Sequence, residues 1–383
     1  MEDLNFEQKS KPELTSEQKR VLGEVWVKVV VDDFSVPEDI EKMSEDELKQ
    51  WFYETVMKDI GKIVNEFGFE ADEGLIAQIK DAKNVDDKSE LELDYIRDLY
   101  RQIDVFIENF EDSSKKSNRW DSWPKIMRES KQFNCVGATL IGMHFLEQAG
   151  IKSYYGNPTG HVVNIVQLPN DELWYVDFKN GMRNFFKLDE ERITIKGIDV
   201  LKVGANSSDY SFIPLYDNEV AAGSVLSNLS SLEHDANDQK ISDENAGKIE
   251  AKKILEKYSH NFKKVDVNLM AETLYPQFSE IRESPEMKAE TVRVEILWDF
   301  EESTQEYLET LSSEKKKDLQ VEYKDRKEAI ENLIIKEDRT VFVDCSLELK
   351  RCLELMLESA KKVKKNYPEF YEEAIEMVLR KIK

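Results

Sequence analysis

The hydrophobic periodicity of this chain changes twice, and this change constrains the fold more than any other feature. Up to about residue 118, and again from about residue 217, apolar residues recur every three to four positions, as they do in amphipathic helices. Between about residues 153 and 203 the apolar stretches are short and rich in β-branched and aromatic residues, with Gly, Pro and Asn between them. We therefore predict an α+β protein in which a strand-rich middle is flanked by two all-α regions.

The charged residues follow the same division. Residues 1–118 contain 16 Lys and Arg against 31 Asp and Glu, residues 119–216 contain 11 against 11, and residues 217–383 contain 27 against 37. We predict an acidic helical region over 1–118, a core over 119–216 to which helices from about residue 90 contribute, and a helical region over 217–383. Neither acidic flank offers a basic surface for phosphates, so we expect no nucleic-acid partner.

The sequence gives no signal for export or for insertion into a membrane. The first residues, MEDLNFEQKSKPEL, are acidic and polar, unlike a secretory signal. No apolar stretch approaches the roughly 18–20 residues that span a bilayer. The three cysteines are too few, and odd in number, for a disulfide framework. We expect a cytoplasmic protein with reduced thiols and no membrane partner.

Two helices of the first region can be predicted from their residues. Ser44 and Glu47 form a capping box at the start of EDELKQWFYETVMKDIGKIVNEFG. A second helix is predicted over LELDYIRDLYRQIDVFIENF. The apolar positions that recur at helical spacing are Leu48, Trp51, Phe52, Val56, Ile60 and Ile63 in the first helix, and Leu93, Ile96, Leu99, Ile103 and Phe106 in the second.

The stretch NCVGATLIGMHFLEQAGI places Cys135 at the head of a predicted buried helix that ends at Gly150. The thiolate is the nucleophilic form of cysteine, and the unpaired N–H groups at a helix N-terminus favour its negative charge. We predict that the other two cysteines, Cys345 and Cys352, are small buried hydrophobic residues. Their C-x₆-C spacing is not a zinc pattern.

A base and an orienting acid follow in the strand-rich middle. His161 opens HVVNIVQL directly after GNPTG, so we expect it at the exposed start of a strand. The next strand, in DELWYVDFKNG, carries Asp177, and a carboxylate on an adjacent strand can orient an imidazole. Because side chains alternate between faces, a two-residue loop at Asn170–Asp171 would separate the two groups. An odd-length loop, such as 168–170, sets them directly opposite on one face, so we predict an odd loop or a bulge.

Together these elements resemble the transglutaminase-like superfamily and, within it, small bacterial members. That family has a Cys at the head of a helix ending in Gly-Ile, a His beginning one strand, and a W-x-x-D motif on the next. This chain has NCVGATLIGMHFLEQAGI, GHVVNIVQL and LWYVDFKNG in that order, and the resemblance covers roughly residues 90–215. It implies a papain-like core, a helix packed on an antiparallel sheet, with Cys135 as nucleophile, His161 as base and Asp177 as orienting group. This chemistry requires no metal and no cofactor.

The sequence does not settle the donors that would stabilise an oxyanion. The backbone N–H of Cys135 is the expected first donor, as at other nucleophiles that begin a helix. The candidates for the second donor are Gln132, Asn134, Trp120 and Trp123. None of them has a diagnostic spacing.

The C-terminal region suggests a binding surface. VAAGSVLSNLSSL, AGKIEAKKILEKYSHNF and NLMAETLYPQF look like a degenerate succession of tetratricopeptide-type helices, which this family sometimes joins to its core. An unrelated helical bundle is the alternative. A concave helical array would bind a protein or a peptide.

Three classes of function remain open. The first is a thiol enzyme that carries out amide hydrolysis, deamidation or acyl transfer through an acyl-enzyme on Cys135. The second is a catalytically idle core that serves as a protein-binding scaffold with helical arms. The third is a structural helical protein in which the Cys–His–Asp order is a coincidence. The strand-rich middle disfavours the third class, and the three filled triad positions favour the first.

Overall fold

A computed structural model describes residues 43–110, 119–179, 184–203, 210–237, 274–292, 310–326 and 345–366, together with the single residues 253, 294, 307 and 368. These residues form a mixture of helix and sheet, which confirms the predicted α+β class. No helix in this part of the chain is long and apolar enough to cross a membrane. The three predicted regions, with boundaries at 118/119 and 216/217, stay a prediction.

The described residues group into two compact units. The first unit draws on 1–157, 161–187 and 215–279, and the second on 158–160, 188–214 and 280–383. The first unit begins with α1 (Glu45–Phe67), α2 (Glu73–Asp81), α3 (Val85–Phe110), a 3₁₀ turn (Arg119–Ser122), α4 (Pro124–Ser130) and α5 (Cys135–Ala149). It also contains a 3₁₀ turn (Asn218–Val220) and α6 (Ala221–Asn237), and α7 (Gln277–Arg282) crosses the boundary between the units.

Helices α1 and α3 confirm the predicted capping and periodicity. The Ser44 side chain accepts from the Glu47 N–H, and the Glu47 carboxylate accepts from the Ser44 N–H at 2.7 Å, so the capping box is complete. Gly68 ends α1 in the left-handed conformation, with φ of 76°. Every apolar residue predicted to line the two helices is buried except Trp51, which is half-buried.

Seven antiparallel strands follow α5: β1 (Lys152–Gly156), β2 (Val163–Gln167), β3 (Leu173–Val176), β4 (Phe185–Lys187), β5 (Glu190–Ile195), β6 (Ile198–Val203) and β7 (Phe212–Tyr216). Their order in the sheet is β4-β3-β2-β1-β7-β6-β5. The predicted strand region RITIKGIDVLKV is a hairpin of β5 and β6, because Lys196 and Gly197 both have positive φ and turn the chain tightly. The short strands β4 and β7 were not predicted.

Helix α5 is buried along almost its whole length and contacts β1, β2 and α1. Eleven of its 15 residues are buried, as expected for a helix that is apolar on every side. The helix begins at Cys135 after the cap residue Asn134, and Gly150 ends it with φ of 70°. Its position between sheet and helices fixes where Cys135 lies.

The β2–β3 hairpin has the odd-length loop that the sequence predicted. The Leu168 N–H donates to the Glu172 carbonyl at 2.9 Å, which closes a three-residue loop over 169–171. Asp171 takes the left-handed conformation that usually ends such loops, with φ of 63°. The prediction of an odd loop is therefore confirmed.

The register of this hairpin places the predicted base and acid on one face. Asn164 pairs with Val176, so one further step along both strands sets Asp177 opposite Val163. His161 lies two residues beyond Val163 and therefore on the same face, diagonal to Asp177. The prediction that the two would lie directly opposite is wrong, because the loop is centred one residue later than expected.

The second unit combines the β5–β6 hairpin with C-terminal helices. Residues 285–292 are helical, and the Glu290 carboxylate in this stretch accepts from the Ser211 N–H at 2.8 Å. Helices α8 (Ser313–Asp325) and α9 (Leu347–Asn366) contact each other, with Lys315 and Glu348 paired at 2.5 Å. Most of the sequence proposed as tetratricopeptide-like lies outside the described residues.

The two C-terminal cysteines differ in exposure. Cys352 is buried within α9, as predicted, whereas Cys345 is half-buried. The prediction for Cys345 is wrong because this residue lies two positions before α9 begins and does not belong to its buried face.

We expect the backbone at Asp171 to control the stability of the β2–β3 hairpin. Asp171→Val should lower the free energy of unfolding by about 1–3 kcal/mol, because a β-branched residue disfavours positive φ. Asp171→Asn should be nearly neutral, since asparagine tolerates this conformation and keeps an acceptor for the Gln167 side chain. Urea unfolding of both variants measures the difference, and equal stabilities would contradict the assignment.

Candidate active site

Cys135 lies at the first position of α5 and is half-exposed. Asn134 caps the helix, because its side-chain oxygen accepts from the Gly137 N–H at 3.1 Å. The first N–H groups of a helix have no partner within the helix. With Gly137 capped, the N–H groups of Cys135 and Val136 are the next donors at this helix start. The thiol therefore lies where the helix favours negative charge.

The start of α5 is held against the preceding 3₁₀ turn by a close backbone approach. The Asn134 N–H donates to the Asp121 carbonyl at 3.2 Å. A Cβ added to Gly137 would lie 3.0 Å from that same carbonyl oxygen and 2.8 Å from the Cβ of Phe133. Only glycine fits at this position without a shift of the neighbouring atoms. Gly137 therefore allows the start of α5, with Cys135, to lie close to the 3₁₀ turn.

His161 lies next to both other members of the predicted triad. Its Nε2 is 2.7 Å from the Asp177 carboxylate, and its side chain also interacts with that of Cys135, which helps to raise the pKa of His161. Because Asp177 occupies Nε2, Nδ1 is the ring nitrogen left for Cys135. His161 lies two residues before β2 and its side chain is only 11% exposed, so the predicted exposed position at the start of the strand is wrong.

Asp177 follows β3 directly and is buried, with 3% of its side chain exposed. One carboxylate oxygen contacts His161, and the other accepts from the Lys179 N–H at 3.0 Å. The Asp177 N–H donates to the Asn184 carbonyl at 3.1 Å. These bonds fix the carboxylate in position and in orientation toward the imidazole.

The electrostatics of the site favour a charged imidazole. Burial lowers the pKa of His161, but the hydrogen bond to Asp177, the hydrogen bond to Cys135 and the charges of both groups outweigh burial and raise this pKa to about 10. At neutral pH the imidazole therefore carries a proton. A protonated imidazole beside a sulfur at a helix N-terminus is the arrangement that stabilises a thiolate.

The four candidate oxyanion donors differ in their surroundings. Gln132 is half-buried. Asn134 is 7% exposed and Trp123 is fully buried. Trp120 belongs to the 3₁₀ turn, and its side chain lies outside the described part of the structure. The structure brings Cys135, His161 and Asp177 together, and the choice among these donors stays a prediction.

Two further residues support the site and were not identified from the sequence. Tyr100 in α3 donates its hydroxyl to the Asn184 carbonyl at 3.2 Å, and this carbonyl also accepts from the Asp177 N–H at 3.1 Å. Phe178 packs its ring against Tyr100, with centroids 4.7 Å apart, and lies so close to Gly142 in α5 that an added Cβ would be 2.3 Å from the ring. A lone glycine inside an apolar helix was the available signal for this contact.

We expect Asp177→Asn to lower the pKa of His161 from about 10 toward or below the ordinary value of about 6.5. The substitution keeps the shape of the side chain but removes the charge that stabilises the imidazolium. NMR titration of the His161 ring measures the change. Glu172→Gln, at the other end of β3, is the matched control and should leave this pKa unchanged, since Glu172 pairs with Lys187.

The same titration has a consequence for stability. The pKa of His161 in the folded state lies above its unfolded value, so the protonated imidazole stabilises the folded protein. This contribution to the free energy of unfolding is fully present below about pH 6.5 and is lost as the pH rises through about 10. The stability difference between the parent and Asp177→Asn should therefore shrink between pH 7 and pH 10. A difference that grows over this range would contradict a raised pKa.

We expect Gly142→Ala to destabilise the protein by about 1–3 kcal/mol, because the new methyl group would overlap the Phe178 ring. In an unobstructed helix interior the same change stabilises by about 1 kcal/mol. In a Phe178→Leu background the cost should fall, and a double-mutant cycle by thermal unfolding measures this coupling. A cost that is equal in both backgrounds would contradict the contact.

Comparison with known proteins adds no assignment to this geometry. No protein-family model matches the chain, and no curated protein and no solved structure matches it significantly.

Proposed function

We propose that this chain is a thiol enzyme of transglutaminase-like type that acts on amides through an acyl-enzyme on Cys135. The reaction would be amide hydrolysis, deamidation or acyl transfer to an amine. The observation that carries the proposal is the position of His161, whose ring lies 2.7 Å from the Asp177 carboxylate and interacts with the side chain of Cys135 at the start of α5. This is the relation between nucleophile, base and orienting acid that covalent catalysis requires.

In the acylation step, the Cys135 thiolate attacks the carbonyl carbon of a substrate amide and forms a C–S bond. The carbonyl electron pair moves to oxygen and then returns as the C–N bond breaks. His161 donates its proton to the leaving nitrogen, which departs as ammonia or an amine. A thioester on Cys135 and a neutral imidazole remain.

In the deacylation step, the neutral imidazole accepts a proton from water or from an amine as that molecule attacks the thioester carbonyl. The C–S bond breaks, and the sulfur leaves as the thiolate beside the protonated His161. Water releases a carboxylic acid, and an amine releases a new amide. Asp177 keeps the imidazole oriented and stabilises its charge in both steps.

Two donors would stabilise the oxyanion that forms in each step. The Cys135 N–H is the first, because it begins a helix next to the attacking sulfur. Gln132 is our choice for the second. It is half-buried and precedes the nucleophile by three residues, whereas Asn134 and Trp123 are both buried. Loss of one such donor typically slows a reaction by about 10²–10³-fold.

The surrounding fold is compatible with a papain-like core. A buried helix that begins at the nucleophile lies on antiparallel strands that lead to the base and to the acid. The proposal includes a protein or peptide substrate or partner bound by the helical flanks, and a cytoplasmic location. The alternative, an idle core used as a scaffold, would keep the fold but not the reactive thiol.

The proposal is tested first by the rate of iodoacetamide alkylation at each cysteine as a function of pH. Cys135 should react well below pH 8, and at pH 6 it should react about 10- to 100-fold faster than the thiol of an unstructured cysteine-containing control peptide, because an ordinary thiol with a pKa near 8.5 is almost fully protonated there. Cys345 is not a suitable reference, because the Arg326 guanidinium lies 3.9 Å from its sulfur. Peptide mapping by mass spectrometry reports each cysteine separately.

Matched variants distinguish an effect of the His161 imidazole on Cys135 from a general effect on folding. His161→Ala should remove the low-pH reactivity of Cys135, whereas His144→Ala, which alters a half-buried histidine elsewhere in α5, should not. If Cys135 in the parent protein titrates like the thiol of the control peptide, the idle scaffold becomes the better assignment. If Cys135 is reactive, glutamine-containing peptides can be tested for an acyl adduct on Cys135 by intact mass.

A further inference from the structure

The interface between α5 and β2 is apolar apart from two polar residues that contact each other. Thr139 is the one polar residue among the buried positions of α5. Asn164 is the one polar residue among the buried positions of β2, and it is fully buried. Asn164 donates its side-chain N–H to the Thr139 carbonyl at 3.3 Å.

A second hydrogen bond extends this contact toward the proposed active site. The Thr139 hydroxyl donates to the Val162 carbonyl at 3.3 Å. Thr139 lies four residues after Cys135, about one helical turn later and on the same side of α5. Val162 directly follows His161. The bond therefore joins the helix near the nucleophile to the chain next to the base.

Apolar packing alone does not fix such a spacing. Hydrophobic contact is non-directional, so a helix can shift on a sheet without losing much of it. Hydrogen bonds require a defined distance and angle. Thr139 is held at two points, since its hydroxyl donates to Val162 and its carbonyl accepts from Asn164. Together these bonds determine the register of α5 against β2.

The unpaired side-chain oxygen of Asn164 indicates that an asparagine is not required here for packing. Among the described residues, its side-chain oxygen has no hydrogen-bond partner although it is buried. It lies close to Gly142, where an added Cβ would be 2.7 Å away. An apolar side chain of similar size would avoid the unpaired oxygen, so the asparagine is best explained by the bond that its N–H makes.

From these observations we infer that Thr139 and Asn164 are positioning residues, which set the distance between the Cys135 sulfur and the His161 ring. The inference rests on the proposed function of Cys135 as nucleophile and His161 as base. Thr139 and Asn164 act through the backbone of α5 and β2 and do not take part in the chemistry. A displacement of about 1 Å at a reacting pair can reduce reactivity by about 10²-fold.

The test is the pH profile of Cys135 alkylation in Thr139→Val, Thr139→Ser and Asn164→Leu. Thr139→Val keeps the shape but loses the hydroxyl, so the rate at pH 6 should fall about 10- to 100-fold and the midpoint of the profile should move toward that of an ordinary thiol. Thr139→Ser keeps the hydroxyl and should retain the parent midpoint. Asn164→Leu should shift the midpoint in the same direction as Thr139→Val.

Ser224→Ala is the control for a general loss of stability. It removes the buried hydrogen bond between Tyr155 and Ser224 in the same unit and should lower the melting temperature without changing the Cys135 profile. Folding of every variant is checked by circular dichroism, and Asn164→Leu provides an independent test if Thr139→Val does not fold.

The outcomes separate this inference from the proposed function. If the parent shows low-pH reactivity and folded Thr139→Val and Asn164→Leu keep it, the positioning role is overturned and the thiol enzyme stands. If the parent lacks this reactivity, both fail. A shift in Ser224→Ala equal to that in Thr139→Val would also overturn the positioning role, because any loss of stability would then suffice.

Discussion

The burial of α5 on every side is the constraint on which the rest of the first unit depends. An all-apolar helix has no face for solvent, so strands and helices must surround it. Four residues of α5 are not buried: Cys135 at its first position and His144 are partly exposed, and Glu147 and Gln148 in its last turn are exposed. The same packing requires glycine at two points of the helix: Gly137 faces the 3₁₀ turn, and Gly142 faces Phe178. The position of the thiol is thus a consequence of core packing.

The His161–Asp177 pair introduces charge at the edge of this core. Taking an imidazolium out of water is unfavourable, and an isolated buried histidine would be neutral. Here the Asp177 carboxylate lies 2.7 Å from the ring and stabilises the charged form instead. Asp177 is in turn held by hydrogen bonds to the Lys179 N–H and the Asn184 carbonyl. Tyr100 extends this support to α3, so the N-terminal helices take part in forming the site.

Local patterns in the sequence predicted the local structure well. The capping box at Ser44, the two apolar stripes, the start of α5 and the odd β2–β3 loop all depend on residues near one another in the chain. The exact register did not follow, because Pro169, Asn170 and Asp171 can form turns with more than one centre. Which residue takes positive φ is decided when the strands pair, and this moved Asp177 from opposite His161 to the diagonal position.

Contacts between distant residues could not be predicted. The burial of His161 depends on α5 and on the chain after β3, and the role of Tyr100 depends on a bond to Asn184, 84 residues later in the chain. Thr139 and Asn164 appear in the sequence only as single polar residues within apolar runs, and nothing local indicates that they meet. Strand β4 has only three residues, too few for periodicity to identify it. Strand β7 has five residues but contains Pro214, which in a sequence argues against a strand.

The most direct test of the central claim is to detect the thiolate of Cys135 spectroscopically. Its ultraviolet absorption can be measured as the difference between the parent and Cys135→Ala as the pH is lowered. If His161 and Asp177 hold a thiolate–imidazolium pair, the difference should persist well below pH 8, and Asp177→Asn should move its loss to higher pH. A difference that disappears with a midpoint near 8.5 in the parent would mean that Cys135 is an ordinary thiol, and would contradict the assignment of this site as catalytic.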